Sequence, residues 1–326
     1  MQRRQLAAAL LALGTAPLST LARAQGALSS RPIRIVVPFG PGGVADLTMR
    51  SVAQKMAASM GQSIVVDNKP GAGGIVAADA VAKAAPDGHT LLLMSNGTAV
   101  SAGLFASLPY DTLKDFAPIS TLGYFDLAVL VPSGSKFASM QALIAHARAH
   151  PGQLNIATIN TGSTQHLAAE LLKSTLGIDV QVVPFNGTPA VVTALRGGQV
   201  DAAVEILAPV MAQVTGGALR ALAVLGAHRA PALPNTPTVA ESDAAGRGLD
   251  VASWNALAAP ARTPPELIAR LHGEVQKALA APDLKKTLQG FGVEARGSTP
   301  AQLAALLASE VQRWSAVIQR AGIPKQ

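Results

Sequence analysis

Short β-branched runs alternate with longer Ala- and Leu-rich amphipathic stretches along nearly the whole chain, and this alternation constrains the fold more than any single motif. The runs Ile33–Val37, Ile64–Val66, Thr90–Met94, Ala128–Val131, Asn155–Thr158, Gln181–Pro184, Ala202–Glu205, Ala221–Leu225 and Trp254–Ala258 predict strands. Helical patterns such as Ala45–Met60, Ile75–Ala85, Met140–Ala149 and Thr164–Leu176 fall between most of them. Strands separated by helices form βαβ units and mainly parallel sheets flanked by helices. With 326 residues, two such α/β domains are expected rather than one.

The last part of the chain reads as helical scaffold. Thr263-Pro264-Pro265-Glu266 predicts a capping box with proline at the first helical position, ahead of Leu267, Leu271, Val275 and Leu279. Thr299-Pro300-Ala301-Gln302 repeats the device ahead of Leu303, Leu307, Val311, Trp314 and Ile318. Apolar residues at helical spacing bury one face, so neither helix is given a chemical role.

The N-terminus carries an address. Arg3 and Arg4 precede the apolar run Leu6–Leu13, and Ala22-Arg23-Ala24 offers a small-x-small cleavage site, the layout of an export signal over residues 1–24. The run is too short to span a bilayer. A mature, periplasmic chain from Gln25 is expected, by either the general secretory or the twin-arginine route. The sequence has no cysteine, which excludes a lipid anchor at the cleavage site and disulfide stapling. Taking Arg3, Arg4 and Arg23 from the formal charge of +7 leaves +4, and the basic residues are scattered. With aromatics at only 3%, the chain lacks the basic, ring-lined stripe of a nucleic-acid binder. No nucleic-acid partner, membrane insertion or metal is expected.

"FGPGGVADLTMR", residues 39–50, follows the first strand and opens a helix, with three glycines and Pro41 at the junction. Bare backbone at a helix N-terminus presents unpaired N–H groups and a partial positive charge, suited to an anion. Gly40-x-Gly42-x-x-Ala45 also satisfies a dinucleotide fingerprint, with Asp67 at the end of the next strand as the ribose acid. An exported NAD(P)-dependent oxidoreductase is therefore the alternative reading. Against it stand Pro41 and the doubled Gly42-Gly43, which suggest a wider loop than the tight dinucleotide turn. A second strand–glycine loop–helix unit, "ATINTGSTQHLAAE", echoes the first, and two such termini facing each other would clamp a carboxylate. His146 and His150 have metal-ligand spacing, but the glutamate of H-E-x-x-H is absent and Pro151-Gly152 ends the helix.

Eight stretches together resemble the substrate-binding proteins of tripartite tricarboxylate transporters, the Bug-type periplasmic receptors. They are "RPIRIVVPFGPGGVADLTMR", "VVDNKPGAGG", "AKAAPDGHTLL", "LPYDTLKDFAPIS", "INTGSTQHLAAELLK", "VPFNGTPAVVTALRGGQVDAAV", "LRALAVLGAHRAPALPNTPTVAE" and "SWNALAAPARTPPELIARL". They run in the family's order over nearly the whole chain beyond the signal. The resemblance implies a two-domain periplasmic-binding-protein-like α/β fold with a ligand cleft between domains. On it, domain 1 comprises 25–124 and 251–326, domain 2 comprises 125–250, and the hinge crosses near Phe125 and Asp250. It also implies a monomeric receptor with no catalysis and no cofactor, which delivers a small carboxylate solute to transporter subunits encoded elsewhere.

The family's clamp maps onto Phe39, Pro41, Gly42, Gly43, Val44 and Asp46 in the first loop and Thr161, Gly162, Ser163, Thr164 and His166 in the second. Thr188, which starts another helix in "FNGTPA", is expected as a third contact, and Glu205 is included among the candidate ligand-binding residues. Asp46 is expected either to touch ligand or to fix its loop, and His166 to hold the second loop or to touch ligand. Three departures alter pocket polarity. Val204-Glu205 stands where the family commonly has phenylalanine–aspartate, Thr98–Ala102 replaces a His-Ala-Ile-Asn-Pro run, and Phe185-Asn186 replaces tyrosine–lysine.

Overall fold

The computed structural model describes residues 30–326; the expected export signal and its cleavage site at Ala24/Gln25 lie outside the described residues. In chain order the strands are β1 (Ile33–Val37), β2 (Ile64–Asn68), β3 (Thr90–Ser95), β4 (Phe116–Pro132), β5 (Asn155–Ile159), β6 (Gln181–Phe185), β7 (Ala202–Ile206), β8 (Leu219–Val224), β9 (Ala252–Pro260) and β10 (Glu294–Ala295). The helices are α1 (Val44–Met60), α2 (Ile75–Ala82), α3 (Asn96–Leu104), α4 (Met140–Ala149), α5 (Thr164–Leu176), α6 (Thr188–Arg196), α7 (Met211–Thr215), α8 (Val239–Ser242), α9 (Pro265–Ala280), α10 (Pro282–Gly290) and α11 (Pro300–Arg320).

The fold is mixed α/β, with a curled sheet flanked by helices. Strand order runs β2-β1-β3-β9-β4-β7-β5-β6, with β8 and β10 also paired to β4. Strand β4 is shared between two halves: it pairs β9 as far as Asp126↔Ala252, then β7 from Leu127↔Ile206 and β8 from Ala128↔Val224. Strand directions fix where function can sit. β1 and β3 are parallel, and β3 and β4 are both antiparallel to β9, so β1 runs with β4 into the other half. β5 and β7 are parallel and β7 is antiparallel to β4, so β5 runs the opposite way. The carboxyl ends of β1 and β5 therefore point toward each other across the boundary where β4 crosses. Ligands of open α/β sheets bind at such strand ends.

The strand period of two sorts side chains onto two faces. Ile33, Ile35 and Val37 of β1 pack with Met49, Val52 and Met56 of α1 and Leu271 and Val275 of α9, while Val36 packs with Ala77 and Val81 of α2. The predicted four-residue spacing of α9 is its buried face.

Three sequence expectations need correction, and two elements were not expected. The strand expected at Ala128–Val131 is the end of the 17-residue β4. Its first part contains Pro118 and Gly123, residue types that weaken a strand pattern, yet the strand absorbs both at register shifts between Pro118/Ser120 and Thr121/Gly123. The helix expected to reach Ala85 ends at Ala82, because Ala85 precedes Pro86 and is biased away from helical dihedrals. The Thr263–Glu266 capping box does not form: α9 has Pro264 at its N-cap with no side-chain cap, and the Thr263 amide already donates to the Pro260 carbonyl at 3.0 Å. Finally, α10 and β10 had no sequence signal and lie between the two expected C-terminal helices. The Thr299–Gln302 box forms as expected, with both reciprocal bonds present.

Candidate functional site

The first loop leads from β1 into α1, whose N-cap Gly43 offers no side-chain cap. Phe39, Pro41, Gly42 and Gly43 are exposed, Val44 is half-buried, and Gly42 has φ +83°, a conformation natural to glycine. Asp46 is buried beneath them, and both carboxylate oxygens are occupied. It accepts from the Gly42 amide at 2.8 Å, from Arg50 Nε at 3.0 Å and from Asn68 Nδ2 at 2.9 Å. Asn68, at the end of β2, also donates to the Phe39 carbonyl at 2.9 Å and accepts from Arg50 at 2.8 Å. Burial opposes the charge on Asp46, but the bonds from Arg50, Gly42 and Asn68 outweigh it and hold the carboxyl below its usual range. Through Gly42 and Asn68 these contacts tie Asp46 to its own loop.

This predicts that Asp46→Ala lowers stability by about 2 kcal/mol, because hydrogen bonds to a charged acceptor are worth roughly 1.5–3 kcal/mol and the Arg50 arm is half exposed. A depressed folded pKa gives stabilisation that is full above the unfolded value near 3.8 and lost as pH falls through the lower folded value. Urea melts at pH 7 and below pH 3.8 check both points. A parent–variant gap that persists unchanged at the low pH would contradict the carboxylate role.

The second loop leads from β5 into α5. Ser163 is the N-cap: its Oγ accepts from the His166 amide at 3.1 Å and donates to the Ile159 carbonyl at 2.9 Å. Thr161 is exposed and Gly162 has φ +79°. The Gly162 amide points at His166 Nδ1 at 3.4 Å, so the ring's proton belongs on Nε2. Burial pushes the His166 imidazole below its ordinary value, keeping it neutral at pH 7. His166 thus braces its loop.

Thr164 is buried, and its Oγ1 accepts from Asn96 Nδ2 of α3 at 3.2 Å, a bond between the two halves. Asn96 in turn accepts from Trp314 Nε1 of α11 at 2.9 Å. Glu205, at the carboxyl end of β7, has no solvent exposure. Its Oε2 accepts from Thr188 Oγ1 at the start of α6 and from Gln165 Nε2 in the first turn of α5, both at 3.2 Å, while Oε1 has no partner. Burial pushes its carboxyl above the usual range, against the pull of Gln165, Thr188 and the Ile206 amide.

Asn68, Asn96, Gln165 and Asn255 were missed in the sequence. Asn68 and Asn96 directly end or follow strands, the position where open α/β sheets bind ligand, and that rule applied to "VVDN" and "LLLMSN" would have found them. Asn255, opposite Ser95 across β3–β9, is buried with no partner on Nδ2.

The other motifs fall elsewhere. Asp67, the expected ribose acid, sits 3.6 Å from Arg34 in an ion pair across β1–β2. His146 stacks on His150 at 4.4 Å, and among the described residues no group of three or more potential ligands gathers for a metal. Thr98 completes a capping box with Ser95 at the start of α3. Two hollows, of about 740 and 270 Å³, are lined by none of the candidate residues. The first is an open depression beside Lys136, Arg196 and Asp201, and the second lies beside Asp126, Leu207 and Val293. No helix among the described residues is long and apolar enough to cross a membrane.

The sequence profile of the tripartite tricarboxylate transporter family receptor matches residues 48–323. A protein from the tcbD-tcbE intergenic region of Pseudomonas sp. (strain P51) is 39% identical over 97% of this chain and 94% of its own. The periplasmic binding protein BugD superposes with a TM-score of 0.76 at 30% identity, covering 91% of this chain and all of BugD. R. palustris Rpa4515, solved with adipate, gives 0.78 at 32% identity over 91% of this chain and 99% of its own. MatC (Rpa3494) from Rhodopseudomonas palustris, solved with malate, gives 0.73 at 33% identity over 88% and 99%.

Proposed function

From the premise that this chain belongs to the tripartite tricarboxylate transporter receptor family, a family of solute-binding proteins, we propose that it captures a small carboxylate-bearing solute in the periplasm. The solute is held between the loops after β1 and β5 and delivered to transporter subunits encoded elsewhere. The observation that carries this reading is the pair of helix N-termini at opposed strand ends, one of them, α1, with no side-chain cap. Free N–H groups and the helix dipole suit a carboxylate, and ordered water can complete the contacts at small energetic cost. The adipate and malate bound by two relatives supply the ligand chemistry by analogy.

On this reading the contacts are Phe39, Pro41, Gly42, Gly43 and Val44 with Thr161, Gly162, Ser163 and Thr164, while Asp46 and His166 shape the loops and Thr188 and Glu205 border them. Residues 25–124 and 251–326 form one domain and 125–250 the other, joined where β4 and β9 cross near Phe125 and Asp250. The solute stabilises the closed arrangement because only that arrangement offers both loops. The export signal at 1–24 would take the chain to the periplasm as a monomer. It binds without turnover.

Calorimetry and thermal shift of the chain from Gln25 against small carboxylates test the reading. Ligand at 100 times its dissociation constant adds about 2.7 kcal/mol of stability. Ser163→Asp places negative charge at the α5 terminus while keeping a good helix cap, and is expected to weaken binding roughly a hundredfold, about 2.7 kcal/mol, without loss of stability. Ser163→Asn, a neutral cap, retains binding. If Ser163→Asp binds as tightly as the parent, the second loop is not the clamp.

A further inference from the structure

Among the candidate contact residues none is a lysine or arginine, and Arg50, close by on α1, is already bound to Asp46 and Asn68. The buried acid at the boundary is Glu205, and it is unusual in two ways. It has no solvent exposure, and its two side-chain hydrogen-bond donors, the neutral groups of Thr188 and Gln165, both serve Oε2, with the neutral Ile206 amide also drawn to the carboxyl. Oε1 has no hydrogen-bond partner. A buried carboxylate with one oxygen unpartnered is a costly arrangement unless something pairs with it. Asp46, the other buried acid here, has no such vacancy, since Gly42, Arg50 and Asn68 take up both its oxygens.

Glu205 stands at the carboxyl end of β7, between the first turn of α5 and the N-terminus of α6, so it borders the same terminus assigned above to the solute carboxylate. We propose that Glu205 Oε1 receives a protonated amine of the solute, so that this receptor selects carboxylates bearing an ammonium group, of the α-amino acid class, over plain carboxylates. The solute's two charges then meet opposite partners: its carboxylate meets the helix termini and its ammonium meets Glu205. A plain carboxylate brings a second negative charge beside Glu205 and leaves Oε1 without a donor. The extra methylene of glutamate relative to the family's common aspartate extends this acid further from the β7 backbone.

The inference rests on the receptor reading, and matched pairs of probes separate the two. L-alanine and propanoate, L-leucine and 4-methylpentanoate, L-aspartate and succinate, and L-glutamate and glutarate each differ only by the ammonium. Titration calorimetry on the chain from Gln25 is expected to show at least one pair in which the amino acid binds tenfold or more tightly than its partner. Glu205→Gln keeps the size and the Thr188 contact but removes the charge, and is expected to collapse that ratio to near one. Its fold is checked by its melt. If the deaminated member binds as well as the amino acid in every pair that binds, or if Glu205→Gln leaves the ratio unchanged, the Glu205 assignment is wrong while the receptor reading stands. If only carboxylates without an amine bind, the assignment also fails. If no carboxylate of any kind binds, the receptor reading itself fails and takes this inference with it.

Discussion

Trp314→Ala is expected to lower stability by about 4–6 kcal/mol and to weaken solute binding, although Trp314 is in the last helix, outside both glycine loops. The indole is fully buried where α11 packs on α3. Truncating a buried tryptophan removes about 3–5 kcal/mol through lost transfer energy and the cavity left behind. The Nε1 proton is shared between Asn96 Oδ1 at 2.9 Å and Glu310 Oε2 at 2.8 Å, so truncation also leaves two buried acceptors short of a donor, at about 1 kcal/mol or more. Glu310 keeps Arg313, at 2.5 Å, whereas Asn96 keeps only its bond to Thr164. Freed from the indole, Asn96 can rotate, and Thr164 then loses the contact that ties α5 to α3. Trp314→Phe separates the two effects, since it keeps most of the volume and removes only the donor. It is expected to lose about 2 kcal/mol and to weaken binding as much as the alanine variant does. Urea unfolding and calorimetry on both variants check this. A phenylalanine variant as stable as the parent would show that the shared proton contributes nothing.

How much of this was legible in the sequence follows from the range of each interaction. Period-two and helical patterns are local, so β1, β3, α4 and α5 were bounded to within a residue. Strand β4 was not, because its first eleven residues mix Pro118, Gly123 and polar positions. What makes them a strand is β9 alongside, nearly 140 residues further on. The same holds for the site. Gly42, Gly43, Gly162 and Ser163 announce themselves because glycine and cap residues have local conformational meaning. Asn96 and Gln165 do not, since their roles come from Trp314, Thr164 and Glu205, which folding alone brings near. Trp314 is instructive: its spacing correctly marked a buried helix face, but burial was all that spacing could reveal. Its hydrogen bond to the candidate site depends on the packing of α11 against α3. Likewise Thr263-x-x-Glu266 had the spacing of a capping box, yet Pro260 had already claimed the amide the box required.

Gly292→Ala is expected to lower stability by about 2–4 kcal/mol, and a second substitution locates the cause. Gly292 sits in the turn between α10 and β10 with φ +70°, where a side chain costs roughly 1–2 kcal/mol. A Cβ there would lie 2.6 Å from the Ala208 Cβ and 3.0 Å from its Cα, so backbone must move, and overpacking of this kind costs about 1–3 kcal/mol. Ala208 follows β7 in the other half of the sheet, so this contact reports how closely the two halves approach on that side of β4. Gly217, with φ +72° and open space around its Cβ position, isolates the conformational part: Gly217→Ala is expected to lose only about 1 kcal/mol. Ala208→Gly in the Gly292→Ala background removes the Cβ–Cβ clash and is expected to recover about 1 kcal/mol beyond additivity. Repeating the cycle with saturating solute ties this contact to binding. Solute that draws the halves together raises the coupling, since the methyl then opposes closure as well as folding. A coupling of zero with and without solute would mean that the two turns stand apart in solution, and that closure around the solute does not pass through this contact.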